Sequence, residues 1–541
     1  MRKLIVLSLT GLLILALSAT GYAQGEKLEF RASGFIDYQS FLGEGVPQYN
    51  GTAGLYRVVN PNYQTNASIT LGAGPLGRIT VPASFGIGSA GWNRTQSNWE
   101  GRAHLKFDAV MGPNLSGTIY FEIDTNRWGA ISNSTATQRE AAGFGSWTTD
   151  RTAVEVKNVY IDVGLPYFGI PVPMTVRVGA QPLGVRPNVA MSSDGTGITA
   201  GIKIDPVMII PIYAKAYEGG DFVDDDVDIW GLHVNAKIGT FTIGGYGLNY
   251  RMNTYPFQVT SANATLIASG LGTGIIPQVA GTFKSHMWWF GAYADGKAGP
   301  VNLNYDFVYD YGSVDERNSI NVPNVRYRGW VTRLKLDFPW DKFNFGAVGM
   351  YATGPNARHT SELGYPGTTT NRGTNSKYNG GYVVPPGSEQ GPVNGESMVV
   401  YSMENGTSTG GYGIAENANY TAMGRGGFGG TWFAKLYATV KPTPWYKITL
   451  QGLYIGDTTA MGNTFGNAVK YKGQTLLRND TSIGWELDLI NQFQLYKNLY
   501  FWVGAGYLLA GDALDVNQGN TGLNRAAANP WALRTSLMYM F

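Results

Sequence analysis

EGRAHLKFDAVMGPNLSGTIYFEID, residues 100–124, reads as two amphipathic strands and the turn between them. Gly101, Ala103, Leu105, Phe107 and Ala109 alternate with Glu100, Arg102, His104, Lys106 and Asp108. After Gly112, Pro113 and Asn114, residues Ile119, Phe121 and Ile123 alternate with Thr118, Tyr120, Glu122 and Asp124. A strand sends successive side chains to opposite faces, so each run has one apolar face and one charged face. Two such runs around a tight turn predict a hairpin.

The same period recurs along the chain. Leu28, Phe30, Ala32, Ile36 and Tyr38 oppose Glu29, Arg31, Ser33, Asp37 and Gln39; Val301, Leu303, Tyr305, Phe307 and Tyr309 oppose Asn302, Asn304, Asp306 and Asp310. Trp330, Leu334, Leu336 and Phe338 oppose Arg333, Lys335 and Asp337, and the final run sets Trp531, Leu533, Thr535, Leu537, Tyr539 and Phe541 against Ala532, Arg534, Ser536 and Met538. A soluble core cannot take so many charged faces, because each needs water. A closed membrane barrel supplies water inside and lipid outside, and pairs every backbone group around the ring. The expected fold is therefore an all-β, transmembrane, antiparallel up-and-down barrel. Its segments number about 18, starting near residue 27 and ending with the run from 531; 16 is the alternative, since Asn158, Val348 and Ile490 break the alternation.

An even strand number places both ends of the barrel on the periplasmic side. Short connections at 112–114, 239–240, 298–300, 339–341, 442–444 and 496–498 then read as periplasmic turns, and long ones at 42–97 and 353–428 as extracellular loops. Tyr38, Trp99, Trp340, Trp445 and Trp531 fall near strand ends, where aromatic girdles form. The C-terminal Phe541 matches a recurrent ending of bacterial outer-membrane strands, an association that pairs the last strand with the first.

Composition agrees with export to the outer membrane. Residues 1–23 carry Arg2, Lys3, the apolar run Leu4–Leu17 and a small-residue exit at Gly21, Tyr22 and Ala23, the pattern of a signal peptide, leaving 24–541 as one barrel domain. Without Arg2 and Lys3, the 40 basic residues become 38 against 38 acidic ones, a balance that gives no reason to expect nucleic acid. Zero cysteines exclude disulfides and thiolate metal sites.

The candidate pore-lining residues are the charges on the polar faces: Glu29, Arg31, Glu100, Arg102, Lys106, Asp108, Glu122, Asp124, Lys203, Lys215, Arg333, Lys335, Lys435, Lys447, Glu486, Asp488 and Arg534. Mixed signs around a lumen set a field that orients polar solutes; the plainer alternative is a generic solvated wall. The stretch Pro182–Asn188 is less polar than its neighbours, which makes Arg186 the candidate constriction residue if it folds inward rather than out. Asp221, Asp224, Asp225, Asp226 and Asp228 bunch on one loop, but match no calcium-loop template and read as a solvated acidic run. His104, His233, His286 and His359 lack metal-ligand spacing, the first two falling on polar faces, and no serine with a matched His and Asp suggests catalysis. Glycine strings at 426–430 and 504–506 precede no helix, which argues against a phosphate cradle. No cofactor is expected.

LSGTIYFEID at 115–124 with Trp128 and Gly129, VEVKNVYIDV at 154–163, MTVRVGAQPL at 174–183 and DDDVDIWGL at 224–232 resemble the homotrimeric general porins of sulfate-reducing and related bacteria. IGWELDL at 483–489 and NPWALRTSLMYMF at 529–541 resemble strands of these and, more distantly, of alginate-export-like porins. Residues 353–428 are an insertion relative to that pattern. The resemblance implies a homotrimer in the outer membrane, contacting lipid and lipopolysaccharide and passing small hydrophilic solutes and ions passively. An oligosaccharide-specific channel and a barrel sheathing an electron-transfer or secretion partner are the other readings.

Overall fold

The computed structural model describes residues 27–44, 69–74, 77–81, 95–128, 154–165, 172–187, 189–255, 283–316, 325–355, 378–388, 396–402, 427–460, 463–465, 479–517 and 524–541. The expected signal peptide at 1–23, most of 42–97 and 353–428, and His359 lie outside them.

Eighteen long strands follow one another around a closed antiparallel ring. They are β1 (Leu28–Glu44), β2 (Thr95–Met111), β3 (Leu115–Arg127), β4 (Glu155–Leu165), β5 (Met174–Val185), β6 (Met191–Ile204), β7 (Val207–Tyr217), β8 (Val227–Ile238) and β9 (Phe241–Tyr255). The ring continues with β10 (Phe283–Ala298), β11 (Val301–Glu316), β12 (Trp330–Trp340), β13 (Phe343–Ala352), β14 (Thr431–Thr443), β15 (Tyr446–Asp457), β16 (Ser482–Tyr496), β17 (Leu499–Ala510) and β18 (Trp531–Met540). β18 closes on β1, with Phe35 opposite Met540 and Glu44 opposite Trp531. The terminal residue takes part: Phe541 and Gly34 exchange backbone hydrogen bonds of 3.0 and 2.9 Å. The pairing expected of the first and last strands is the one observed. A closed ring leaves no unpaired edge, which the hydrocarbon region requires.

Sequence alternation becomes the two faces of this wall. Phe30, Trp99, Phe107, Ile119, Ile161, Leu436, Leu450 and Leu487 are exposed on the outside, while Asp37, Glu100, Glu122, Asp306 and Arg534 point inward and are buried. Aromatic side chains collect at both rims. Trp340 and Trp445 stand exposed at the short turns, and at the loop end Trp99 stacks on Trp128 with Tyr38 edge-on to the latter. The turns tighten through left-handed residues at Gly112, Gly239, Gly299 and Asp341. One interruption of the alternation has a clear origin: Tyr120 faces Asn158 but Phe121 faces Val156, so Lys157 is the extra residue of a β-bulge.

Candidate functional site in the barrel lumen

In the half next to the short turns the lumen wall carries charged groups, several of them in pairs. Arg31 lies 3.0 Å from Glu29 and Lys106 3.0 Å from Asp108. Asp162 accepts from Arg177, whose guanidinium lies 4.1 Å from the Tyr160 ring centroid. Arg31, Lys106, Asp108, Asp162 and Arg177 line a cavity of about 290 Å³. Across the barrel a larger cavity, about 670 Å³, is lined by Lys335, Asp337, Glu396, Lys435, Lys441 and Lys447. Lys335 is 3.5 Å from Asp337, whereas Lys441 and Lys447 have no carboxylate within 4.0 Å among the described residues. Lys203 lies exposed at the short-turn rim, on the face of β6 that also holds Thr199.

Higher on the β2–β4 wall the charges sink into a network. Glu122 accepts from Arg102, from His104 Nε2 at 2.9 Å and from Lys157 at 2.8 Å; Lys157 also meets Asp194 at 2.9 Å. Glu100 is buried beside this network. Arg534, buried on β18, lies 5.2 Å from the Phe41 ring centroid. The side chain of Asp124 is outside the described residues.

The β5–β6 hairpin outgrows its neighbours and turns into the lumen. β4 pairs with β5 only as far as Val159 with Ala180, and β7 with β6 only as far as Lys215 with Thr196. Beyond that level residues 181–185 pair only with 191–195. Gln181 braces the bend, donating to the Gly197 carbonyl at 2.8 Å and accepting from Thr199 Oγ1 at 2.8 Å. The tip is apolar: Leu183, Val185, Val189, Ala190 and Met191 are all buried, and Tyr250 on the far wall touches Met191 Sδ at 3.1 Å. Arg186 reaches β10 and β11 opposite, donating to Asp306 at 2.5 Å and to Asp295 at 2.5 and 3.1 Å, with its guanidinium 4.1 Å from the Tyr293 ring centroid. Its φ of 46° is left-handed, a strained state for a non-glycine residue that the two carboxylates offset. Of the two placements weighed for this stretch, the inward one is observed.

The second inward element departs from the sequence expectation. Residues 353–428 read as an extracellular loop, yet the described pieces 380–388 and 396–402 lie against lumen-facing side chains. Val383 donates its backbone N–H to Asp310 at 3.0 Å and accepts from Trp289 Nε1 at 2.8 Å; Tyr382 donates to the Val189 carbonyl of the hairpin tip at 2.9 Å. Met398 donates to Asp488 at 3.2 Å, and Val399 and Val400 to Glu486 at 2.5 and 3.0 Å. Glu396 closes a three-way ion cluster with Arg333 and Lys435. The physical reason is on the wall: Leu248, Tyr250, Met287, Trp289, Val308 and Val348 are buried on the inner face of the loop-side half. Apolar side chains facing a wet lumen would stay hydrated, and the inward segments cover them. Two signals pointed to this, both easy to pass over: the runs GYVV at 381–384 and SMVVY at 397–401 in an otherwise polar loop. Glu396, Asp295 and Asp306 are site residues outside the candidate pore-lining set, although Asp306 had been placed on a polar face.

One of the candidate charges, Lys215, lies on the outer face. Lys215 pairs across from Thr196 and Asp228, on the face of Tyr213 and Trp230, and Trp230 is exposed outside the barrel. Its partners are Glu218 at 2.8 Å, Asp226 at 2.9 Å and Asp228 at 3.4 Å. β7 is apolar on both faces from Val207 to Ala214, so its own sequence does not declare which parity is internal, and pairing decides. The acidic run is held in the same way, with Asp224 accepting from Asn253 at 2.7 Å. Among the described residues no cluster of three or more acidic or histidine side chains has metal-site geometry. His104 and His233 do face inward, bonded to Tyr120 and Glu122 and to Tyr293 respectively.

Burial works against ionisation of Glu396, but Lys435 and Arg333 outweigh it and hold the carboxyl below its ordinary 4.5. The cluster is thus an ionised one at neutral pH.

No family model matches the chain, and no curated protein matches it. Solved structures with a similar outline include OccK8 (OprE) of Pseudomonas aeruginosa, at 9% identity and a TM-score of 0.45 over 95% of this chain and 98% of that one. A BenF-like porin from Pseudomonas fluorescens Pf-5 aligns at 8% identity and a TM-score of 0.46 over 96% and 100%, and OccAB3 of Acinetobacter baumannii at 8% and 0.43 over 94% and 99%.

Proposed function

We propose that this chain is an outer-membrane porin through which small hydrophilic solutes and ions diffuse passively down their own gradients. The observation that carries this is the closed ring itself: an apolar exterior, a charged interior, and cavities of about 290 and 670 Å³ opening between charged walls. Arg31, Lys106, Asp108, Lys335, Lys435 and Lys447 line the path, and Arg186 narrows it where the hairpin tip crosses. Lipid and lipopolysaccharide contact the apolar belt, and the homotrimer implied by the resemblance is the oligomeric state proposed. Single-channel recording of the refolded chain in planar bilayers tests the proposal. Ohmic steps support it; silence from folded barrels in every salt overturns it.

A solute-specific channel is the second reading, favoured by the filling of the loop-side lumen with the chain's own segments. Saturable current blocked by one solute class selects it. The same filling weighs against a sheath around a partner protein, which needs that space empty.

A further inference from the structure

The outer face of the barrel changes character in steps between β8 and β12, and the strand pairing resolves those steps into rows. Directly opposed residues of antiparallel strands share a face. One row runs Leu232, Gly247, Phe290, Tyr309 and Trp330, apolar and aromatic throughout. The next row toward the loop end is Trp230, Asn249, Trp288 and Tyr311, with Trp288 stacked on Phe290 at 5.5 Å and Trp230 4.6 Å from Tyr213. Above it lie Asp228, Arg251, His286, Ser313 and Arg326, the last on the short strand Val325–Tyr327. Tyr250, Met287 and Trp289, each one residue away along its strand, are fully buried on the inside, so the three rows belong to the lipid side.

Two residues advance a strand by about 7 Å, so this wall passes from apolar to cationic within about 14 Å. An arginine on the lipid side is tolerated near the edge of the hydrocarbon and costly at its centre, which puts the aromatic row at the interface and the basic row at headgroup depth. Arg251, His286 and Arg326 are exposed, and Arg328 beside them holds its guanidinium 5.9 Å from the Tyr311 ring centroid. Among the described side chains, the exposed lysines and arginines of the outer face at the loop end are Arg251, Lys284, Arg326 and Arg328, all in this sector. The carboxylates nearby are engaged elsewhere. Asp228 accepts from Tyr213 at 3.1 Å and lies 3.4 Å from Lys215, Asp224 lies 3.7 Å from Lys284, and Asp315 accepts from Ser313 at 2.8 Å. Arg251 and Arg326 have no carboxylate within 4.0 Å among the described residues.

We propose that Arg251, Arg326 and Arg328, with His286 and Ser313 between them, bind a phosphate of lipid A, whose acyl chains lie on the aromatic and apolar rows below. The inference rests on the outer-membrane reading and gives its lipid contact a defined place and chemistry. The rows select the occupant: it must be apolar along the wall and anionic at its head. A soluble anion gains nothing from Trp230, Trp288 and Phe290, and a neutral lipid gains nothing from the arginines. Guanidinium groups offer phosphate oxygens paired donors. Arg251 and Arg326 stand three strand spacings apart, about 15 Å, so their side chains reach toward one headgroup from either side of His286 and Ser313. The site lies at the loop end, where lipopolysaccharide forms the outer leaflet in that reading.

The test is lipid retention by the full-length refolded barrel, read by native mass spectrometry as bisphosphorylated lipid A, its dephosphorylated form or phosphatidylglycerol is titrated into detergent micelles. The wild type is expected to hold bisphosphorylated lipid A about tenfold or more tighter than the other two, and Arg251→Gln/Arg326→Gln/Arg328→Gln to lose that preference. Lys237→Gln/Lys297→Gln, at the short-turn rim, should keep it. Heat-modifiable migration on gels and wild-type conductance certify that the triple variant is folded. Equal retention by wild type and triple variant overturns the inference, as does equal retention of lipid A with and without its phosphates, or of phosphatidylglycerol. A triple variant that keeps lipid A but falls from an oligomer to a monomer also overturns it and makes this face an interface between copies. A barrel that retains lipid A as expected yet conducts nothing overturns the channel reading instead, so the two failures are distinct.

Discussion

The two halves of the lumen obey different rules. Toward the short turns, the inner faces are charged, the charges pair mostly within their own strand or with the next one, and a cavity remains along each of two walls. Toward the loops, the inner faces of β8 to β17 are largely apolar and are covered by the β5–β6 hairpin tip and by residues 380–388 and 396–402. The first half is a solvated wall, and the second is packed like a protein interior, with Tyr250, Trp289, Tyr382 and Val399 almost completely removed from solvent. One closed ring thus carries a wet compartment in series with a dry one.

Removing the filling should have the largest effect. Replacing residues 380–402 by a short Gly-Ser link is expected to multiply single-channel conductance several-fold, and an unchanged conductance would break the comparison. Next is the network on the polar wall. Glu122→Ala leaves Arg102, His104 and Lys157 facing an uncompensated, buried position, and should lower stability by about 3 kcal/mol in urea titrations followed by tryptophan fluorescence. Loss of a single hydrogen bond between the two inward elements should matter less. Tyr382→Phe removes the donor to the Val189 carbonyl, a loss of about 1 kcal/mol in the same titration, together with noisier open-channel current.

A pH series sharpens the boundary between the halves. Glu396 is held below its ordinary 4.5, so its ion cluster contributes fully above that value and is lost as pH falls through the lower, folded one. Anion preference should stay flat from neutrality down to about pH 5 and rise in more acidic buffer, and E396Q should abolish the rise. The smallest effect is expected at Lys215: neutralising it should leave ion selectivity unaltered, whereas Lys447→Gln should reduce anion preference measurably. Equal shifts for the two would contradict their placement on opposite faces of the wall.

The site was partly legible in advance. Arg31, Lys106, Asp108, Arg333 and Lys335 lie on strands whose faces differ so strongly that the inner one cannot be mistaken. Arg186 stood out because its stretch is less polar than a solvent-exposed loop should be. Lys215 was misplaced because Val207–Ala214 is apolar on both faces and a one-residue change of parity costs nothing in such a strand considered alone. Glu396 was missed because its neighbours in sequence, polar and glycine-rich, resemble any outer loop, and its partners lie 63 and 39 residues away.

What the sequence determined by itself is everything local with period two: the existence of most strands, the tight turns and the two faces of the wall, because alternation is a property of neighbours along one strand, whereas the choice of 18 strands over 16 came from the closed ring. What only the tertiary structure decided is which side of β7 faces inward, where the β5–β6 hairpin leaves the ring, and that a long polar loop returns to fill half the lumen. Those outcomes depend on which strands end first and on how much apolar surface the ring leaves uncovered inside, quantities that no single segment carries.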